Sequence, residues 1–138
     1  MKLVNRERHI AKFVLQEAKN YEQFATELID VRDFGISRTD DTKTSEKSKK
    51  FSETVTRADG IIVVSPEYNH GYPSALKNAI DYLWYEWNHK PVSFISYGSM
   101  SGGLRAVEQL RQVAIEVELI PIRESVALMY IRKLIDNK

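Results

Sequence analysis

Two segments of the chain contain residue types that could hold a ligand. The first, which we call the proline loop, runs from Ser65 to Ser74 and reads SPEYNHGYPS. Its prolines restrict the backbone, its glycine can take a positive φ, and its tyrosines offer aromatic faces. The second, which we call the glycine loop, runs from Tyr97 to Gly103 and reads YGSMSGG. Glycine-rich main chain before a helix can approach a ligand and donate N–H groups, so the two loops together predict a site for a flat ligand.

Other kinds of site are not indicated by the sequence. His9, His70 and His89 are scattered, with no helical pairing and no carboxylate cluster beside them, so we predict a loop or interface role for His70. The serines of the glycine loop do not have the Gly-x-Ser-x-Gly spacing that acyl transfer would require. Neither a Walker A motif nor a Gly-x-Gly-x-x-Gly pattern occurs. We therefore predict no metal site and no acyl-transfer nucleophile.

The composition is that of an ordinary globular protein. A length of 138 residues predicts a single domain over residues 1–138, and a formal charge of +1 argues against a nucleic-acid partner. The sequence has no cysteine, which fits a reducing compartment, and we predict a cytoplasmic protein. The charged start from Met1 to Arg8 predicts no signal peptide, and no apolar run is long enough to predict a membrane span.

The first half of the chain predicts two helices and one strand. Apolar residues recur at three- and four-residue steps over Arg6–Tyr21, which predicts a helix with one buried stripe. The short apolar segment Ala25–Val31 is predicted to be a strand. The polar stretch Gly35–Lys50 predicts a loop that runs into a helix near Thr44, with Phe51 and Val55 on its inner face.

Strands and helices alternate through the rest of the chain. The β-branched run Gly60–Ser65 shows no alternation, which is typical of a parallel strand covered on both faces. The tail Ser125–Lys138 fits a helix as well as a strand. Alternating elements of this kind predict an α/β domain with a parallel sheet. The other predicted elements are a helix over Ser74–Trp87, a strand over Pro91–Tyr97, a helix over Leu104–Val117 with Leu104 inward, and a strand over Glu118–Ile122.

The stretch ADGIIVVSPEYNHGYPSALKNAIDYL, residues 58–83, together with YGSMSGG, resembles the NADPH-dependent FMN reductase family. This family includes azo, quinone and chromate reductases. The resemblance implies a flavodoxin-like three-layer sandwich with a parallel sheet, and FMN and NADPH or NADH as cofactors. The loops that match the family's flavin-contacting loops make these residues the expected cofactor-binding set: Pro66, Glu67, Tyr68, Asn69, Tyr97, Gly98, Ser99, Gly102 and Gly103.

The resemblance also implies a reaction and a partner. The expected activity is hydride transfer from NADPH or NADH through FMN to a small-molecule acceptor such as a quinone, an azo compound or free flavin, and the cofactor supplies the chemistry. The aromatic residues Tyr82, Trp84, Tyr85 and Trp87 are too dense for one buried helix face. Family members of this type form dimers through this helix, so a homodimer is expected, with packing inside the monomer as the alternative.

The chain departs from the family pattern at its start. The family begins with a strand and a Gly-Ser-x-Arg type loop that holds the FMN phosphate, whereas Met1–Asn5 contains neither glycine nor serine. The expected fold is therefore truncated at the first strand, and the closing helix is also expected to be missing. The alternatives are a non-catalytic remnant that acts as a dimerising or weak ligand-binding module, or a domain completed by a separate chain.

Overall fold

The computed structural model describes residues 6–34 and 45–135. Residues up to Asp30 form one compact unit and those from Val31 onward form a second, and each is described by itself. The second unit contains the sheet and both loops named above.

The first unit consists of one helix and the segment that follows it. Helix α1 spans Arg6–Ala18, so the predicted helix is confirmed but ends earlier than Tyr21. Arg8 Nε donates to Asp30 Oδ2 over 3.0 Å. The buried stripe is only partly confirmed, because Ile10 is buried whereas Phe13 and Tyr21 are exposed.

The predicted strand over Ala25–Val31 is wrong. Residues 24–30 have no regular secondary structure, and Val31–Phe34 is a short 3₁₀ helix. A strand requires a hydrogen-bonded neighbour, and among the described residues the sheet contains only the three strands of the second unit. A short apolar run therefore predicted a strand for which no pairing exists.

The second unit is built on a parallel sheet of order β1-β2-β3. This confirms the α/β class and the parallel sheet. Its elements in chain order are α2 over Glu46–Arg57, β1 over Ile61–Pro66, α3 over Ser74–Tyr82, a 3₁₀ helix over Tyr85–Trp87, β2 over Pro91–Tyr97, α4 over Leu104–Glu116, β3 over Ile120–Leu128 and α5 over Ile131–Ile135.

Helix α2 begins and packs as the sequence predicted. Ser45 is its N-cap, and the Ser45 Oγ accepts a hydrogen bond from the Ser48 amide over 3.1 Å. Phe51 and Val55 are buried, and the Phe51 ring lies 5.3 Å from that of Phe34 between ring centroids. The part of the predicted loop that covers residues 35–44 lies outside the described residues.

Strand β1 confirms the predicted position but not the predicted burial. Its backbone pairs with β2 from Ile61 to Pro66. Ile62 is 54% exposed, so the expectation that both faces are covered is wrong at that residue. The parallel pairing with β2 satisfies backbone groups of β1 but does not cover the Ile62 side chain.

Helix α3 ends at Tyr82 rather than at Trp87, because Leu83 adopts an extended backbone with ψ of 161°. The chain then turns, and the carboxylate of Glu86 accepts hydrogen bonds from the Trp84 amide over 2.9 Å and from Ser52 Oγ over 2.7 Å. Leu83 and Trp87 are still buried after the turn. The apolar spacing that predicted one helix therefore runs through two elements, α3 and the 3₁₀ helix over Tyr85–Trp87.

The third strand is longer than predicted and carries a bulge. Between Val92 and Phe94 of β2 the register of β3 shifts, and Arg111 of α4 donates to the carbonyl oxygens of Ile122 and Arg123 over 2.6 and 3.0 Å. These hydrogen bonds satisfy backbone groups that the bulge removes from the ladder. The tail from Ser125, which fitted a helix as well as a strand, is strand up to Leu128 and helix over Ile131–Ile135. On α4, the prediction that Leu104 points inward is wrong, because Leu104 is exposed.

None of the helices within residues 6–34 and 45–135 is long and apolar enough to cross a membrane.

Candidate functional site

Both ligand-binding candidates lie at the same edge of the sheet. Pro66 at the end of β1 pairs with Tyr97 at the end of β2, and the Glu67 amide donates to the Tyr97 carbonyl oxygen over 3.1 Å. The proline loop and the glycine loop therefore start side by side. This is the carboxyl edge of a parallel sheet, where ligands bind in open α/β folds.

The proline loop folds into a tight hairpin. Tyr68 and Gly71 exchange backbone hydrogen bonds of 2.9 and 3.0 Å, and the residues between them, Asn69 and His70, have φ of 50° and 69°. Positive φ at both central positions defines a type I′ turn, which suits a hairpin and favours asparagine. The sequence had suggested that the glycine would take the positive φ, and this is wrong because Asn69 and His70 do so.

Gly71 instead leaves room for a side chain of α4. A Cβ on this residue would lie 3.1 Å from Oε1 of Gln109 on α4. The Gln109 Nε2 donates to the His70 carbonyl oxygen over 2.9 Å. The small residue thus lets a side chain of α4 reach the tip of the hairpin.

The glycines of the glycine loop pack against the protein's own strands. Gly102 and Gly103 are buried, with φ of 61° and 88°, and a Cβ on Gly103 would lie 2.8 Å from the Ser96 Cβ. Ser96 Oγ donates to the Gly102 carbonyl oxygen over 2.8 Å. These two positions need glycine because of the left-handed backbone and the close approach to β2, which is a different reason from the ligand contact that the sequence suggested.

The outer part of the glycine loop is tied to the end of β3. The Gly98 amide donates to the Leu128 carbonyl oxygen over 3.3 Å, and the Tyr130 amide donates to the Ser99 carbonyl oxygen over 2.8 Å. The amides of Ser99, Met100 and Ser101 form no backbone hydrogen bond within the described residues. The loop is therefore held by its carbonyl groups and by the Gly98 amide, while three successive N–H groups have no backbone acceptor within the described residues.

An ion pair joins the two loops. The Glu67 side chain is only 6% exposed, and its carboxylate accepts hydrogen bonds from Arg105 Nε over 2.6 Å, from the Arg105 amide over 3.2 Å and from Ser101 Oγ over 3.2 Å. Burial by itself would raise the pKa of Glu67, but the hydrogen bonds from Arg105 and Ser101 and the positive guanidinium outweigh it and hold the pKa below its usual value. Glu67 is thus an ionised group that faces the protein.

Arg105 also contacts the tip of the hairpin. Its Nη1 lies 2.9 Å from Nε2 of His70, and its Nη2 donates to Ser101 Oγ over 3.0 Å. A guanidinium has donors only, so the contact with His70 is a hydrogen bond when that ring nitrogen accepts. His70 therefore has the loop role that the sequence predicted. Arg105 and Gln109 were missed, since no motif marks them and their partners in the proline loop lie 35 or more residues away along the chain.

The predicted cofactor-binding residues fall into three groups by exposure. The exposed group consists of Tyr68, Asn69 and Ser99, and the Tyr68 ring is 53% exposed. Pro66 and Gly98 are half-buried between them. The inward group is Glu67, Tyr97, Gly102 and Gly103, whose side chains or Cα atoms face the protein.

The arrangement fits the ring system of a flavin. An isoalloxazine has apolar faces and hydrogen-bonding groups along one edge, and the site offers an exposed aromatic ring beside successive backbone donors. Over the part of the chain that the structure describes, no group of His, Asp and Glu side chains is arranged to hold a metal ion.

Comparison with known proteins agrees with this chemistry. The model of the family described as NADPH-dependent FMN reductase matches residues 5–132. The chain is 39% identical over 114 residues to an NAD(P)H-dependent FMN reductase of Schizosaccharomyces pombe, covering 76% of this chain and 56% of that protein. It is 38% identical over 72 residues to an NADPH:quinone oxidoreductase of Arabidopsis thaliana, covering 50% of this chain and 37% of that protein.

A solved structure supports the fold. An apo NADH:FMN oxidoreductase superimposes with a TM-score of 0.75 at 20% identity, covering 94% of this chain and 70% of that one. The flavodoxin-like class predicted from the sequence is confirmed. The chain spans about half the length, or less, of the two curated relatives described above.

Proposed function

The chain belongs to the NADPH-dependent FMN reductase family, and on that premise we propose that it takes part in hydride transfer from NADPH or NADH through FMN to a small acceptor. The observation that carries this proposal is the pairing of Pro66 with Tyr97, which sets the proline loop and the glycine loop side by side. Quinones, azo compounds and free flavin are the proposed acceptors. The quinone oxidoreductase relative supports the first of these.

The residues of the chain bind and orient the cofactor in this proposal. The exposed Tyr68 ring, with Pro66 and Asn69 beside it, would hold the isoalloxazine by aromatic contact. The amides of the glycine loop around Ser99 would donate hydrogen bonds to its polar groups. When bound, FMN accepts and passes on the hydride, so no side chain of the site is proposed as an acid or a base.

The remaining predicted residues are proposed to shape the site. Glu67 and Tyr97 connect the two loops, and Gly102 and Gly103 let the glycine loop pack on β2. Their effect on FMN is therefore expected to act through the position of Tyr68 and of the loop amides. Loss of any of them should reduce both stability and affinity.

Titration of the purified chain with FMN, followed by flavin fluorescence, tests the proposal. We expect saturable binding, and NADPH or NADH oxidation that depends on FMN and on an added quinone. Tyr68→Ala should weaken binding by about 1 kcal/mol, roughly fivefold, through loss of ring stacking. Tyr68→Phe is the matched control, because it keeps the ring and should keep most of the affinity.

The outcomes separate the candidate functions. Equal loss of affinity in both Tyr68 variants would exclude the stacking role of the ring. Repeating the titration with riboflavin, which lacks the phosphate, measures the contribution of a phosphate site. No binding of either flavin would contradict the reductase proposal and favour the non-catalytic module.

We further propose a homodimer that uses the aromatic residues after α3. Trp84 and Tyr85 are adjacent and 68% and 79% exposed, an unusual exposure for large aromatic side chains. A second copy of this chain is the proposed partner. Sedimentation velocity should give a dimer for the native chain and a monomer for Trp84→Ser, and a native monomer would contradict this proposal.

The cytoplasmic location stays a prediction that rests on the cysteine-free composition. Cell fractionation with an antibody against the chain would test it.

A further inference from the structure

The tip of the proline loop is attached to helix α4 at several separate points. Arg105 contacts the Glu67 carboxylate before the turn and the His70 ring within it. Gln109, one helical turn further along, donates to the His70 carbonyl oxygen. Tyr68 and Asn69 therefore lie between residues that α4 holds on either side.

This attachment opposes the backbone cost of the turn. Asparagine and histidine occupy a positive φ more often than most residues, but a non-glycine residue in this conformation still carries a backbone cost, and here two of them are consecutive, with φ of 50° at Asn69 and 69° at His70. A residue in this conformation persists when its surroundings hold it there. The contacts from Arg105 and Gln109 to His70 provide that support.

The guanidinium is suited to this position in a way that an ammonium is not. Its Nε, Nη1 and Nη2 point in different fixed directions and reach Glu67, His70 and Ser101. A lysine could pair with the Glu67 carboxylate, but one ammonium on a flexible chain cannot hold all three partners in place.

From these contacts we propose that Arg105 is a positioning residue, which fixes Tyr68 and Asn69 of the proline loop relative to the glycine loop and thereby sets the affinity for the flavin ring. The affinity part rests on the proposed function. The loop part does not, because all of these contacts join residues of the chain itself. Gln109 assists by holding the same turn at its carbonyl group.

Amide hydrogen exchange on the ligand-free chain tests the loop part. The Tyr68 and Gly71 amides are bonded across the turn, so their exchange reports on its opening. We expect Arg105→Lys to speed exchange at both amides about tenfold, and Gln109→Met to do so by a smaller factor. Gln109→Met provides the same test if Arg105→Lys folds poorly.

FMN titration of the same variants tests the affinity part. The dissociation constant should rise about fivefold in Arg105→Lys, corresponding to about 1 kcal/mol. Arg111→Lys is the matched control, since it makes the same change on the same helix but contacts the bulge of β3. It should leave both the exchange at Tyr68 and Gly71 and the FMN affinity unchanged.

Each result supports or overturns the proposal. Native exchange rates at both amides in Arg105→Lys would overturn it, and so would faster exchange with unchanged FMN affinity. A native chain that binds no FMN would refute the proposed function, while the exchange comparison would still decide whether Arg105 holds the loop.

Discussion

Arg105 of α4 and Glu67 of the proline loop are 38 residues apart in the chain, and Arg105 Nε donates to Glu67 Oε1 over 2.6 Å. The Arg105 amide donates to the other carboxylate oxygen, so side chain and backbone of one residue bind one carboxylate. This carboxylate is almost completely buried, whereas the arginine side chain is 46% exposed. Charge-assisted hydrogen bonds of this kind are stronger than neutral ones, and the pair therefore connects the site more firmly than a surface ion pair would.

Glu67→Gln is expected to destabilise the chain. The substitution keeps the size of the side chain but removes its negative charge and replaces one acceptor oxygen with an NH2 donor that faces other donors, so we expect a loss of about 1 to 3 kcal/mol in the free energy of unfolding. Urea unfolding followed by circular dichroism measures it. Glu46→Gln is the control, because its pair with Lys49 lies at the surface of α2 and should contribute almost nothing. Equal losses in both variants would contradict the buried role of Glu67.

The stabilisation from Glu67 is expected to depend on pH. The pKa of Glu67 in the folded chain lies below its unfolded value of about 4.3, so ionisation favours the folded state. The contribution is fully present above that value and is lost as the pH falls through the lower folded pKa. The stability difference between the native chain and Glu67→Gln should therefore be constant near neutral pH and shrink in acid. A difference that stays the same down to about pH 3 would refute this coupling.

Gly103→Ala should be more damaging than an ordinary glycine substitution. The new Cβ would meet the Ser96 Cβ at 2.8 Å, and φ of 88° adds backbone strain, so we expect a loss of more than about 2 kcal/mol. Thermal unfolding measures the change. Gly60→Ala is the control, since its nearest contact is a proline ring carbon at 3.2 Å and its φ is not in the left-handed region. A loss at Gly103 no larger than at Gly60 would be inconsistent with the packing described above.

The two tryptophans should respond differently to replacement by phenylalanine. Trp87 is buried, and its Nε1 donates to the Ile80 carbonyl oxygen over 3.0 Å, so Trp87→Phe should cost about 1 to 3 kcal/mol. Trp84 is exposed, so Trp84→Phe should lower the free energy of unfolding by less than about 0.5 kcal/mol. Chemical unfolding measures both. Similar losses for the two variants would indicate that Trp84 packs in the folded chain.

The segment 74–87, which contains both tryptophans, shows how much of the tertiary structure a sequence pattern can predict. Helical spacing across residues 74–87 correctly indicated that Ala79, Ile80 and Leu83 are buried, but not that the helix ends at Tyr82. The end depends on Glu86, whose carboxylate bonds to Ser52, 34 residues away. Such a contact leaves no trace in local periodicity. The prediction of a strand over Ala25–Val31 was wrong for a related reason, because apolar composition does not show whether a neighbouring strand is present to pair with it.

The sequence by itself determined the order of strands and helices in the second unit, the position of both loops and membership of the FMN reductase family. These follow from local spacing, from proline and glycine positions, and from a specific motif, all of which are properties of neighbouring residues. Tertiary structure alone decided that Glu67 faces Arg105, that Asn69 and His70 rather than Gly71 take the positive φ, and that Gly103 fits against Ser96. Each of these depends on groups brought together by the parallel pairing of β1 with β2 and the packing of α4 on β2 and β3.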